Sequence, residues 1–161
     1  RGKGGGLMRV VLLLACALQL AGRLSAQDSS FAAMQARGQM AMGVDQYTSW
    51  HRFDPLPDGG RIKLQRDSSD TAGTTAIREH LQDIAMRFRA GDFALPGFVH
   101  AQQVPGTPVM AAKRAAIRYV FHPLPGGGEV RIVTRDAAAV AAVHQFLAFQ
   151  RTEHHVGQHL H

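Results

Sequence analysis

The chain has 161 residues, 45% of them hydrophobic and 19% charged, with a formal net charge of +6 and one cysteine. That length suits one domain with a modest core. A single cysteine excludes an internal disulfide and a thiolate-rich metal site.

Residues 1–7 read as an untranslated leader. Gly-Lys-Gly-Gly-Gly is what a purine-rich ribosome-binding site spells when translated, and Met8 is the expected start. Residues 8–26 follow the pattern of a secretory signal: Arg9, an apolar run from Val10 to Leu20, and a small-residue cleavage site at Leu24-Ser25-Ala26. The run is too short to span a bilayer, which takes about 20 residues. A rival reading is a lipoprotein anchored at Cys16, since Leu13-Leu14-Ala15-Cys16 resembles a lipobox.

Cleavage after Ala26 removes Arg1, Lys3, Arg9 and Arg23. The 18 basic residues fall to 14 against 12 acidic ones, and the net charge falls from +6 to +2. This excludes a strongly basic nucleic-acid-binding domain, and no membrane span is expected in the remainder. Cys16 leaves as well, and a chain without thiols fits a periplasmic or secreted location.

Residues 27–46, polar and alanine-rich with Met34, Met40 and Met42, predict a flexible N-terminal arm. Methionine clusters can take Cu(I) through soft sulfur. From 47 to 153 a single domain is expected. Tyr47 to Phe53 reads as a strand, Pro55 to Gly60 as a turn, and Arg61 to Gln65 as a half-buried strand of alternating polarity. Asp67-Ser68-Ser69-Asp70 supplies cap candidates for a helix over Thr74 to Ala90, which Gly91 ends. Phe93 to Pro108 is rich in proline and glycine yet apolar, and is expected to cross and pack on the domain. Ile117 to Phe121 and Glu129 to Val133 read as strands, and Asp136 caps a helix over Ala137 to Arg151. Residues 154–161 form a histidine-rich tail.

The stretches "FDPLPDGG" at 53–60 and "FHPLPGGG" at 121–128 agree at six of eight positions, 68 residues apart. Both glycine runs lead into strands and lack a following Gly-Lys-Ser/Thr, so they are hairpin turns and not phosphate cradles. The expected fold is α+β, a tandem ββα repeat giving a four-stranded antiparallel sheet with two helices on one face. The expected core is Phe53, Ile62, Leu64, Ile77, Leu81, Ile84, Phe88, Ile117, Tyr119, Phe121, Val130, Ile132, Val140, Val143 and Leu147. Splitting of the hairpins between two chains of a dimer is the alternative.

Histidine is the unusual feature. His51 shares a strand face with Phe53. His80 lies between Ile77 and Ile84, and His144 between Val140 and Leu147, each beside an apolar helical stripe. With His100 on the crossing segment, these imidazoles can converge, and Met110 adds a soft donor. Imidazole suits zinc and copper, and thioether favours copper. The tail offers His154, His155, His159 and His161, a weaker site that Gly157 interrupts. His122 is expected in an exposed turn. Zinc-protease and serine-hydrolase motifs are missing, and no carboxylate pair stands out.

"MGVDQYTSWHRF", "DGGRIKLQRD", "IREHLQDIAMRFRAGDF", "PGFVH", "VPGTPVM", "IRYVF" and "AAVHQFLAFQRTEH" together resemble a group of short, uncharacterised exported bacterial proteins, over roughly residues 42–154. Some such proteins carry an aspartate carbamoyltransferase label. The Ser-Thr-Arg-Thr phosphate loop of transcarbamoylases is missing from this sequence, and the chain is about half their length. The resemblance implies a compact exported domain and assigns no residue a role.

The functional expectation is a periplasmic metal-binding protein that takes copper or zinc through His51, His80, His100 and His144 with Met110. The alternative is a non-catalytic interaction module of the cell envelope that offers a protein partner an edge strand or loop surface. A small hydrolase ranks third.

Overall fold

A computed structural model of the chain describes residues 29–43 and 48–154. The leader, the signal segment with Cys16, Tyr47, and the tail residues His155, His159 and His161 lie outside the described residues. The chain divides into two units, residues 1–34 and 35–161. Of the first, residues 29–34 are described and are helical. The second holds every element discussed below.

Residues 29–42 are helical (α1) where a flexible arm is expected from composition. The reason lies in residues 35–42. Met42 is buried in the core of the second unit, and Arg37 donates from Nε to the Val99 carbonyl at 2.8 Å. These contacts are long-range, so the local polarity of the segment gives no sign of them. The order then runs β1 (Trp50–Leu56), β2 (Gly59–Gln65), α2 (Thr71–Ala90), α3 (Ala94–His100), α4 (Thr107–Ala112), a 3-10 turn (Arg114–Ala116), β3 (Ile117–Leu124), β4 (Gly127–Thr134) and α5 (Ala137–Glu153). β1 starts later than expected and runs on through Pro55, which an edge strand tolerates.

The four strands form one antiparallel sheet in the order β1-β2-β4-β3. Phe53 pairs with Ile62, Ile62 with Val130, and Val130 with Phe121, so one row of apolar side chains crosses the sheet on a single face. His51 opposite Leu64 lies on this same face. α2 packs mainly on β3 and β4, and α5 on β1 and β2. Each long helix therefore covers the hairpin of the other half of the chain. The opposite face carries Arg52, Lys63, Glu129 and His122 in one cross-strand row, which keeps it polar.

Both long helices start on aspartate caps. Asp70 accepts from the Gly73 amide at 2.8 Å and Asp136 from the Ala139 amide at 2.9 Å. Gly91 closes α2 in the left-handed region at φ 82°. The core follows the expected list, with Ile84, Phe121 and Val140 only partly buried. It also takes Met42, Val104, Met110, Ala142 and Phe146.

The outer strands β1 and β3 are tied down by side chains from the helices. Arg151 donates to the Phe53 carbonyl at 2.7 Å and His144 to the Leu56 carbonyl at 2.9 Å. Arg89 donates to the Tyr119 carbonyl and Arg78 to the Leu124 carbonyl, both at 2.9 Å. Pro55 and Pro123 add positions with no N–H to offer, so the edges present few free groups for strand addition.

Gly106 fixes how α4 meets α5. It has φ 83°, and a Cβ there would run into the Ala142 carbonyl of α5. Gly106→Ala is expected to lower stability by more than about 2 kcal/mol, from a left-handed alanine plus a backbone collision. Urea denaturation followed by circular dichroism measures this. A loss below ~0.5 kcal/mol would show that the α4–α5 approach is adjustable.

Candidate functional site

One apolar cavity of about 90 Å3 lies within the second unit, and four histidines line it: His51, His80, His100 and His154. Each comes from a different element. His51 is on β1, on the buried face of the sheet. His80 is one turn before Ile84 on α2, and His100 is the last residue of α3. His154 is the C-cap of α5. The walls between them are aliphatic and aromatic, with Phe53, Phe88 and Phe146 among them. No Asp, Glu, Lys or Arg is among the lining residues.

Three of the four rings are in contact through His154. His51 and His154 stack with centroids 5.2 Å apart and planes 12° from parallel. His100 meets His154 edge-on, also at 5.2 Å. Phe53 lies against His154 at 5.5 Å, and Phe149 closes on His100 at 5.0 Å. His154 is thus the hub of the cluster, with ring contacts to His51, His100 and Phe53.

Burial sets the charge state of the cluster. Desolvation, with the nearby His80 ring as a smaller cause, holds the pKa of His51 down to about 4. His80 is lowered by desolvation, against opposing pulls from Asp83 and from a hydrogen bond with the Ala41 backbone. His100 is lowered by desolvation as well, while Gln150 and Glu153 act to raise it. These three imidazoles are neutral at pH 7, so each has one nitrogen with a free lone pair.

The tautomer of His100 is set by a neighbour. His100 Nε2 lies 3.1 Å from Gln150 Oε1, which can only accept, so Nε2 carries the proton and Nδ1 the lone pair. Nδ1 is buried with no hydrogen-bond partner, and Glu153 Oε2 stands 4.0 Å away, beyond hydrogen-bond reach. His80 has a hydrogen bond with the backbone of Ala41 on α1. An imidazole whose N–H is held by an oxygen and whose second nitrogen is bare has the outer-shell arrangement of metal-ligating histidines.

Of the residues singled out from sequence, His51, His80 and His100 come together here, and so does His154 of the tail. His144 does not line the cavity, because its ring is turned to the Leu56 carbonyl at the hairpin end. Met110 is fully buried on α4 in the hydrophobic core and does not line the cavity either. His122 is exposed on β3. Sequence reasoning missed Gln150, and it named Met42 only with Met34 and Met40 as an arm cluster able to take Cu(I); both line the cavity. The signal for Gln150 was available: a glutamine three residues after Leu147 sits on the buried stripe of α5 and is itself 5% exposed. Nothing local separates Met42 from Met34 and Met40, so its place in the cavity carried no such signal.

No protein-family model, curated protein or solved structure matches the chain. An imidazole with a pKa near 4 is a weak base at neutral pH, poorly matched to proton transfer. The same depression keeps its lone pair clear of competing protons, which suits ligation. Among the described residues no group of three His, Cys, Asp or Glu side chains already surrounds a common metal position. The parallel His51–His154 stack accounts for part of this, because ring lone pairs lie in the ring planes and two parallel rings do not aim at one point. Among the same residues, no helix is long and apolar enough to cross a membrane.

Proposed function

We propose that the protein binds a transition-metal ion, copper or zinc, in the histidine-lined cavity between sheet and helices, as a periplasmic or secreted binding protein. The observation that carries this reading is the convergence of His51, His80, His100 and His154 from four elements onto one cavity free of charged side chains. Neutral imidazole is the commonest protein metal ligand, and clustering neutral imidazoles in an apolar wall has a desolvation cost that metal ligation offsets. His100 is pre-set by Gln150, and His80 has a hydrogen bond with the Ala41 backbone. Binding then requires a side-chain rotation that opens the His51–His154 stack, with the backbone scaffold unchanged.

The reading is tested by calorimetric titration of the full chain carrying His155→Ala, His159→Ala and His161→Ala, which removes the remaining tail imidazoles. One equivalent of Zn(II) or Cu(I) is expected to bind. His80→Ala in this background is expected to weaken binding by ~100-fold or more, since loss of a ligand costs at least as much as loss of an outer-shell partner. Failure of both ions to bind above the level seen in His80→Ala would sink the metal reading.

A further inference from the structure

The lining of the cavity contains a donor that is not nitrogen. Met42 closes α1, is 6% exposed, and lines the same cavity as the four histidines. The preceding residue, Ala41, also lines it, and its backbone has a hydrogen bond with His80. One turn of α1 thus bonds to an imidazole and brings a thioether to the cavity.

We infer that this cavity is selective for monovalent copper, with Met42 sulfur as a ligand beside the imidazoles. The inference rests on the metal-binding reading above and adds the ion and its oxidation state. Charge is the first argument. All the donors in the lining are uncharged: imidazoles, a thioether and the Gln150 amide. Glu153, the nearest carboxylate to His100 at 4.0 Å, is not part of the lining. The cost of moving an ion into a low-dielectric cavity grows as the square of its charge, so a divalent ion costs about four times what a monovalent ion does. With no anionic donor to offset that cost, Zn(II) and Cu(II) are disfavoured relative to Cu(I). Softness is the second argument, since a polarizable thioether prefers Cu(I) over harder ions. Geometry is the third. Cu(I) is satisfied by low coordination numbers, so it needs fewer of the rings to turn than a tetrahedral zinc site does.

Alternatives elsewhere in the molecule have less behind them. The polar sheet face is largely paired within itself, through Arg61–Asp54, Arg52–Asp54 and Lys63–Glu129. The exposed Trp50 stands beside it, with no second feature that specifies a partner.

The experiment is a set of competition titrations on the full chain with His155→Ala, His159→Ala and His161→Ala, using Cu(I) under reducing anaerobic conditions, Cu(II), and Zn(II), each against a chelator of known affinity. Met42→Leu, which keeps the volume of the side chain and removes the sulfur, is the test variant. Cu(I) is expected to bind at least about 100-fold more tightly than Zn(II), and Met42→Leu to weaken Cu(I) by ~10-fold while leaving Zn(II) within about two-fold. X-ray absorption of the copper-loaded protein is expected to show a sulfur neighbour that Met42→Leu loses, a readout that does not depend on affinity. Zinc bound as tightly as Cu(I), with no sulfur neighbour to copper, overturns the inference and leaves the metal site standing. No ion bound above the level of the His80→Ala variant overturns both.

Discussion

Acidification from pH 7 to pH 4 is expected to remove a large part of the folding stability of the metal-free protein, with the loss beginning near pH 6.5. The sign follows from the cavity histidines. In the unfolded chain an imidazole titrates near 6.5, whereas half-buried His51 holds out to about 4. Between those values the unfolded state binds a proton that the native state refuses, so stability falls as pH falls. His51 alone accounts for on the order of 3 kcal/mol over this window, fully lost only below pH 4. His80 and His100 are shifted in the same direction and add to the slope. Against a total stability of about 5–15 kcal/mol, the sum is a large fraction. The measurement is a urea denaturation series from pH 8 to pH 4 in the presence of a chelator. Circular dichroism is the proper probe, because the single tryptophan, Trp50, is 64% exposed and reports poorly on the core. A midpoint that stays constant between pH 7 and pH 5 would show that the cavity histidines are already protonated or solvated in the native state.

The same residues show which parts of the structure the sequence discloses. The four strands, the two long helices and the hairpin turns were legible because their signals are local, whereas α1, α3 and α4 were not read as helices. Ile62 and Leu64 alternate with charged residues, Asp70 and Asp136 stand where caps belong, and Gly91 follows an amphipathic stripe. The expectation of one four-stranded antiparallel sheet holds, while its order, with β2 against β4 at the centre, was not read from the sequence. The cavity was only partly legible. His51 and His80 were placed by face and register, and the structure brings both to the cavity. His144 was placed by the same reasoning and went elsewhere, because a histidine beside a buried stripe can equally satisfy a backbone carbonyl at the rim, here that of Leu56. Met110 failed differently. It occupies the core beside α5, where methionine acts as a filler, while Met42 from the apparent arm holds the cavity position. Met42 reaches the cavity from the segment 35–42, which Arg37 joins to the Val99 carbonyl, a contact 62 residues apart in sequence. No local pattern encodes that separation.

Replacing His51 by phenylalanine is expected to move stability and binding in opposite directions. His51 stacks on His154 and lies within 6.2 Å of Phe53, an environment that a phenyl ring fits without a buried polar atom. The cavity beside it, about 90 Å3, has room for the larger ring. Phenylalanine does not titrate, so the variant escapes the proton-linked loss assigned to this position. At pH 5 it should be more stable than the parent by about 2 kcal/mol, the part of that loss accumulated between pH 6.5 and 5. Its acid limb should be correspondingly shallower, with the remaining slope belonging to His80 and His100. Metal binding should move the other way, falling by ~100-fold or more through loss of one of the cavity donors. Such a trade is what a functional residue in a core position implies: the fold would be better served by an apolar side chain, and the histidine persists at a cost in stability. Parallel measurements of denaturation at pH 5 and of metal titration at pH 7 decide the matter. An unchanged acid limb would move the depressed imidazole to another position. A stabilised variant that still binds metal as the parent does would remove His51 from the ligand set, leaving His80, His100 and His154 as the only cavity imidazoles able to hold the ion.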